Sequence, residues 1–419
     1  MNRLLLLSLW VIFVVVNVVS AADSDFALHD GDTVVFMGDS ITAARGYSKL
    51  VEQYTLLRFP ARQVRFVNAG QGGDTMAGGL QRLDRDVFSK GATVLTVAFG
   101  INDIGWGMKA DAGHKQIYLD AVRGIAEACQ RHKVRLFLCS PAITAEDPDK
   151  AEQGFLQKMT DEGLALAKSL GADTIDLQRG MREIQRRIVA ANARETEATK
   201  KTTLHVADGI HLNDLGQLAM AYALLKGLGA PAGVSSVVID FADGALQKTE
   251  GCRVSEILKR DGGLEFVRED EGLPLNLGAL GGLNFRFISI PEGLNRYLLT
   301  VASLPAGDFE LLVEGRVIGK ASAGRLGSGL NISSMTTNGW EPGGPWDAQA
   351  SLIKELTEAR DRLAQSEQLR NRFLTNHPHQ DRLDRESAEA DARIVTLQRE
   401  SAHPFPYHFR IQPVGSVGP

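Results

Sequence analysis

Residues 33–42 read Thr-Val-Val-Phe-Met-Gly-Asp-Ser-Ile-Thr. Val34, Val35, Phe36 and Met37 form a continuous apolar run of high β-propensity, the composition of a strand buried on both faces of a parallel sheet. The run stops at Gly38, and Ile41 to Ala44 begin a segment compatible with helix. Ser40 therefore stands on the turn leaving a buried strand, at the carboxyl edge where open α/β sheets bind their ligands. Backbone N–H groups at a helix start, which attract anions, would lie beside it. Taken alone, the serine also fits a second role as the N-cap of that helix.

Outward from this stretch, strand and helix patterns alternate. Helices are expected over 47–59, 115–132, 152–170, 181–193 and 215–228, and strands over 63–68, 93–99, 134–140 and 173–177. Such alternation specifies an α/β fold with a parallel sheet, helices on both faces and right-handed crossovers. The Gly- and Pro-rich segment 227–233 is a candidate boundary, dividing the chain into 23–230 and 231–419. Beyond it the alternation is lost. Strands are expected over 237–241, 264–267, 283–290, 297–303 and 309–318, the last turning at Glu314-Gly315, with a final strand at 405–413. These suggest an antiparallel sheet or sandwich. Between them, about 347–400 reads as a helical hairpin, with Leu352, Leu356, Ala359 and Leu363 on one face of its first helix.

A chain of 419 residues with 44% hydrophobic and 23% charged residues has ample length for a full core. Its net charge of −5 offers no basic footprint, which sets nucleic acid aside as a partner. The N-terminus differs: Arg3 precedes an apolar run that ends in Ser20-Ala21-Ala22. That pattern is a secretory signal peptide over 1–22, implying a secreted or periplasmic protein with no membrane span after cleavage. A retained anchor is the alternative, but the run falls short of the about 20 apolar residues a span requires. Of Cys129, Cys139 and Cys252, at least one must be unpaired, and Cys139 inside an apolar run reads as a buried thiol.

Candidate chemistry collects at strand ends. The run Asn68-Ala69-Gly70-Gln71-Gly72-Gly73-Asp74-Thr75 follows the second expected strand. It departs from G-x-G-x-x-G at Thr75, which argues against a dinucleotide, while its glycines allow close approach to a ligand atom. Asn102 follows the third strand, where its amide can donate into the same crevice or merely form a turn. Asp208 and His211 precede the helix over 215–228; a carboxylate so placed can hold the imidazole tautomer a serine needs from its base. His205, Asp208 and His211 as metal ligands would need a helix, and Gly209 points instead to a loop. Trp106, between Gly105 and Gly107, can wall a pocket, stack on a sugar ring or pack on its own loop. Trp340 and Trp346 share a Gly/Pro-rich loop that reads as an anchor, a carbohydrate platform or a lid. Asn331-Ile332-Ser333 is a glycosylation sequon, and His377 and His379 read as a solvated turn.

Four blocks, Gly38-Asp39-Ser40-Ile41, Asn68 to Thr75, Gly100-Ile101-Asn102-Asp103 and Asp208-Gly209-Ile210-His211, stand in one order. In this the chain resembles the SGNH hydrolase family, also called GDSL esterases and lipases, over its first half to about Leu228. The resemblance implies a flavodoxin-like three-layer α/β/α domain. It implies Ser40 as nucleophile, His211 as general base and Asp208 as its orienting acid. Ser40, Gly73 and Asn102 would form the oxyanion hole, with Gly72 beside Gly73 leaving open which glycine faces it. No metal or organic cofactor is implied. The expected reaction is hydrolysis of O-acyl, foremost O-acetyl, esters on a small-molecule or carbohydrate substrate. Alternatives are a lipase, lysophospholipase or thioesterase acting on longer chains, or a catalytically inactive carbohydrate-binding or envelope protein.

Overall fold

The computed structural model describes residues 26–278 and 281–415; the segment read as a signal peptide lies outside the described residues. Five strands, β1 (Thr33–Gly38), β2 (Arg65–Gly70), β3 (Val94–Ala98), β4 (Arg135–Cys139) and β5 (Asp173–Ile175), form one sheet in the order β2-β1-β3-β4-β5. Every pairing is parallel. Alternate residues of β1 serve opposite faces, as strand geometry demands. Val34 and Phe36 enter a core shared with the helices Gly46–Arg58, Leu177–Asn192 and Asp214–Gly227. Val35 and Met37 enter the other, with the helices Ala112–His132 and Phe155–Ser169. The result is the expected three-layer α/β/α arrangement in flavodoxin-like strand order, with β1 and β3 central and their carboxyl ends side by side.

Beyond residue 232 lie β6 (Gly233–Asp240), β7 (Ala245–Glu250), β8 (Cys252–Arg260), β9 (Gly263–Asp270), β10 (Arg296–Ala302), β11 (Asp308–Val313), β12 (Arg316–Ser322), β13 (Leu330–Asn331) and β14 (Tyr407–Pro413). They build two sheets, β13-β10-β6-β7 and β12-β11-β14-β9-β8, around one core that includes Val237, Phe266, Leu299, Leu311 and Phe409. The first sheet is mixed, because β10 runs parallel to β6.

Two expectations fail here. The segment 283–290 is no strand: Gly281–Arg286 is a 3-10 turn and Ile290–Gly293 a short helix. Its apolar residues Phe287, Ile288 and Ile290 dip together into the core of the parallel-sheet region, and Pro291 cannot continue a ladder. The tryptophans also do not act as a pair. Trp346 is fully buried against Tyr297 and Phe409, whereas Trp340 is 73% exposed, so the loop presents no two-ring platform. All three cysteines are buried and free. Among the described residues no helix is long and apolar enough to cross a membrane.

The helices Pro345–Phe373 and Gln380–Ala402 form the expected hairpin, joined by Arg360–Asp391 (2.9 Å) and Arg370–Asp384 (2.8 Å). The hairpin lies along the helix Gly46–Arg58. Arg45 meets Asp361 at 2.7 Å, Lys49 meets Glu358 at 2.8 Å, and Arg360 meets Glu52 at 2.8 Å. The Arg45–Asp361 pair is almost wholly removed from water. Asp361→Ala leaves that guanidinium buried without its partner, and the expected loss is about 3–5 kcal/mol. Urea unfolding measures it; a change below about 1 kcal/mol would mean that Arg45 finds water or another carboxylate.

Candidate active site

The turn after β1 is fixed by Asp39, not Ser40. Asp39 is the N-cap of the short helix Ser40–Ala43, its carboxylate accepting the Ile41 N–H at 2.9 Å. Burial pushes that carboxyl up to about 6. With the cap supplied by its neighbour, Ser40 leaves its own oxygen free, and Oγ lies 2.8 Å from His211 Nε2. The second β strand closes in behind: a Cβ on Gly70 would come within 2.2 Å of the Ala43 nitrogen, so only glycine fits there. Asn68 ties the same turn down, its Nδ2 donating to the Thr42 carbonyl at 2.9 Å and to Ser48 Oγ at 3.0 Å.

The imidazole is held by a turn built around Asp208. Its Oδ1 accepts the N–H groups of Ile210 (2.8 Å) and His211 (2.9 Å), and its Oδ2 lies 2.6 Å from His211 Nδ1. A carboxylate facing Nδ1 assigns the proton to that nitrogen and leaves Nε2 to accept from the serine hydroxyl. The same contacts, His211 first and then the two N–H groups, draw the Asp208 carboxyl down to about 2. His205 does not join them: buried, it donates Nε2–H to the Ile143 carbonyl at 3.0 Å.

Asn102 and Trp106 complete the cluster. Asn102 Nδ2 donates to the Asp74 carbonyl at 2.9 Å, and the Trp106 indole N–H donates to Asn102 Oδ1 at 2.9 Å. The indole stands edge-on to His211, ring centres 5.9 Å apart. Gly73, next to Asp74, has φ +74°, a left-handed conformation natural to glycine, with open space where a side chain would be. Gln71 to Gly73 are solvent-exposed, and Trp106 is 51% exposed. Ser40, Asp208, His211, Asn102, Trp106 and the Gly73 loop thus meet at one rim of the sheet, whereas His377 and His379 lie side by side in the turn between the two hairpin helices.

Two buried residues beneath the cluster were not anticipated. Arg82 donates to Asp74 Oδ2 (2.7 Å), the Ala69 carbonyl (2.7 Å), Asp86 (2.9 Å) and the Gly38 carbonyl (3.3 Å), binding the ends of β1 and β2 to the glycine loop. Its only signal was a charge-rich run, Arg82-Leu83-Asp84-Arg85-Asp86, that reads as a solvated helix face. Asp103 accepts the Met76 N–H at 3.0 Å while its other oxygen is buried without a partner. Burial pushes this carboxyl up to about 7.

A three-layer α/β/α fold with a hydroxyl–imidazole–carboxylate chain at the carboxyl edge of its sheet holds the groups that hydrolytic chemistry uses. Residues 36–219 match the model of the GDSL-like Lipase/Acylhydrolase family; the chain carries a GDSL-like acylhydrolase domain and is a carboxylic ester hydrolase. The whole architecture, β-rich region included, is similar to that of a gut microbial diltiazem-metabolizing enzyme: TM-score 0.78 at 21% identity, covering 93% of this chain and 100% of the other. The acetylxylan esterase Axe2 from Geobacillus stearothermophilus aligns with 49% of this chain and 97% of its own, with a TM-score of 0.40 at 20% identity. No curated protein matches the sequence.

Asp103 makes stability pH-dependent. Its folded value lies above the ordinary 3.8, so the stability present below that pH is lost as pH rises through about 7. Asp103→Asn cannot ionise. Relative to wild type, its unfolding free energy should rise between about pH 4 and pH 7 and then level off. Urea unfolding across that range is the check, and a difference independent of pH would contradict the assignment.

Proposed function

We propose that this protein is an exported esterase that removes O-acyl groups, foremost O-acetyl groups on carbohydrate, using Ser40 as nucleophile. His211 is its general base and Asp208 the orienting acid. One observation carries the reading: the unbroken chain from the Ser40 hydroxyl through the imidazole at 2.8 Å to the Asp208 carboxylate at 2.6 Å.

A serine hydroxyl is a weak nucleophile until its proton has somewhere to go. As Oγ attacks the ester carbonyl, Nε2 takes that proton, and Asp208, ionised from about pH 2 upward, stabilises the imidazolium through Nδ1–H. The charge developing on the carbonyl oxygen is met by the backbone N–H groups of Ser40 and Gly73. The Asn102 Nδ2 hydrogen not given to Asp74 is the third donor. The imidazolium protonates the departing alcohol. Water, deprotonated by the same nitrogen, then attacks the acyl-enzyme and frees the acid. No cofactor enters any of these steps.

The carbohydrate assignment draws on the exposed rim and on the half-exposed Trp106 ring beside His211, a face on which a sugar can stack. Export draws on the signal pattern over 1–22. In this reading residues 23–230 are the catalytic unit and 231–419 an accessory region.

Ser40→Ala should abolish turnover of p-nitrophenyl acetate while leaving the far-UV circular dichroism intact; wild-type-like turnover would remove the assignment. Asn102→Ala should lower kcat by about 10²–10³ with little change in KM, and a change confined to KM would remove that residue from the oxyanion hole. Across a p-nitrophenyl ester series acetate should be preferred, and a preference for octanoate would favour a long-chain acylhydrolase.

A further inference from the structure

Of the three proposed oxyanion donors, Asn102 alone is a side chain, and a primary amide can present either of its ends. We propose that Trp106 is a positioning residue that selects the end: its indole N–H holds Oδ1 away from the crevice so that Nδ2 faces the oxyanion. This rests on the ester-hydrolysis reading and gives Trp106 a part in it that requires no contact with substrate.

The hydrogen-bond chemistry admits one orientation. An indole nitrogen is donor only, and it lies 2.9 Å from Asn102 Oδ1; the Asp74 carbonyl is acceptor only, and it lies 2.9 Å from Nδ2. Turning the amide over would set two donors against each other on one side and two acceptors on the other. A lone pair would then face the developing negative charge. The acceptor side is already immobile, because Arg82 grips the Asp74 carboxylate at 2.7 Å and the Thr75 N–H donates to the same carboxylate at 2.9 Å. The indole is the exposed half of the clamp.

The backbone supports a role beyond packing. Trp106 has φ +58° and ψ +32°, between Gly105 at φ +51° and Gly107 at φ +96°. A bulky residue in the left-handed region is strained, and such strain persists where surrounding bonds over-determine it. Here the bonds are Trp106 N–H to the Ile101 carbonyl (3.0 Å), Gly105 N–H to the Asn102 carbonyl (2.9 Å) and Gly107 N–H to the Ile104 carbonyl (2.9 Å). At 51% exposed the ring is not core material. The turn aims it at two groups of the site, the Asn102 amide and the His211 ring.

Trp106→Phe keeps a ring at this position and removes the N–H; Trp106→Ala removes both. With p-nitrophenyl acetate, Trp106→Phe should lose about 10-fold or more in kcat, short of the loss in Asn102→Ala, with KM within about twofold of wild type. In a double-mutant cycle, Asn102→Ala/Trp106→Phe should be no slower than Asn102→Ala alone. A wild-type kcat in Trp106→Phe, or losses that multiply in the double variant, would overturn the proposal. So would unchanged kcat with KM raised in Trp106→Ala but not in Trp106→Phe, which assigns the ring to substrate stacking. Failure of the underlying reading shows separately, as turnover that survives Ser40→Ala.

Discussion

The 2.8 Å contact between Ser40 and His211 joins residues 171 positions apart, and the rest of the site depends on it. Neither local segment can enforce it alone. The constraint comes from Gln217, buried in the helix that follows His211. Its Oε1 accepts the Tyr47 N–H at 2.8 Å and its Nε2 donates to the Ile41 carbonyl at 3.3 Å, on the two elements that follow Ser40. A Cβ on Gly46 would strike this side chain, so the two helices meet there at glycine distance. The loop carrying His211 is thereby docked onto the turn carrying Ser40 by buried hydrogen bonds, which are costly to leave unmade.

Beneath that contact the rim is stiffened by charge held out of water. Arg82 satisfies carbonyls at the ends of two neighbouring strands while pairing with Asp74. Asp39 and Asp103 are carboxyls whose burial raises their proton affinity. Buried polar groups of this kind repay their desolvation only when their partners are correctly placed, so they specify one arrangement of the rim. The hairpin contributes from outside: through Arg45 and Asp361 it grips the chain five residues beyond Ser40.

Much of this was legible in the sequence. Parallel strands buried on both faces appear as near-continuous apolar runs, and Val34 to Met37, or Val94 to Phe99 with only Thr96 interrupting, can be little else. Ser40, the Gly73 loop and Asn102 stood out because each follows the end of such a run, and Asp208 and His211 because they share a Gly- and Asp-containing turn just before a helix. What stayed hidden depends on distant partners. Arg82 looks like surface charge until β1 and β2 end above it. Cys252–Arg260 is too polar to read as a strand because it lies at a sheet edge with most of its residues exposed. Trp340 and Trp346 are indistinguishable in one loop, yet one is core and the other solvent-facing. The segment 283–290 has strand composition but a second core to fill. The Trp106 indole bond to Asn102 likewise follows from a backbone turn that no periodicity reveals.

The central claim is that one hydroxyl, activated by one imidazole, attacks the ester. Treating the intact protein with a fluorophosphonate and mapping the adduct by peptide mass spectrometry tests it most directly. The expected result is one phosphonyl group on the peptide containing Ser40, formed far more slowly in His211→Ala. Labelling at another residue, or equal labelling rates with and without the imidazole, would contradict it.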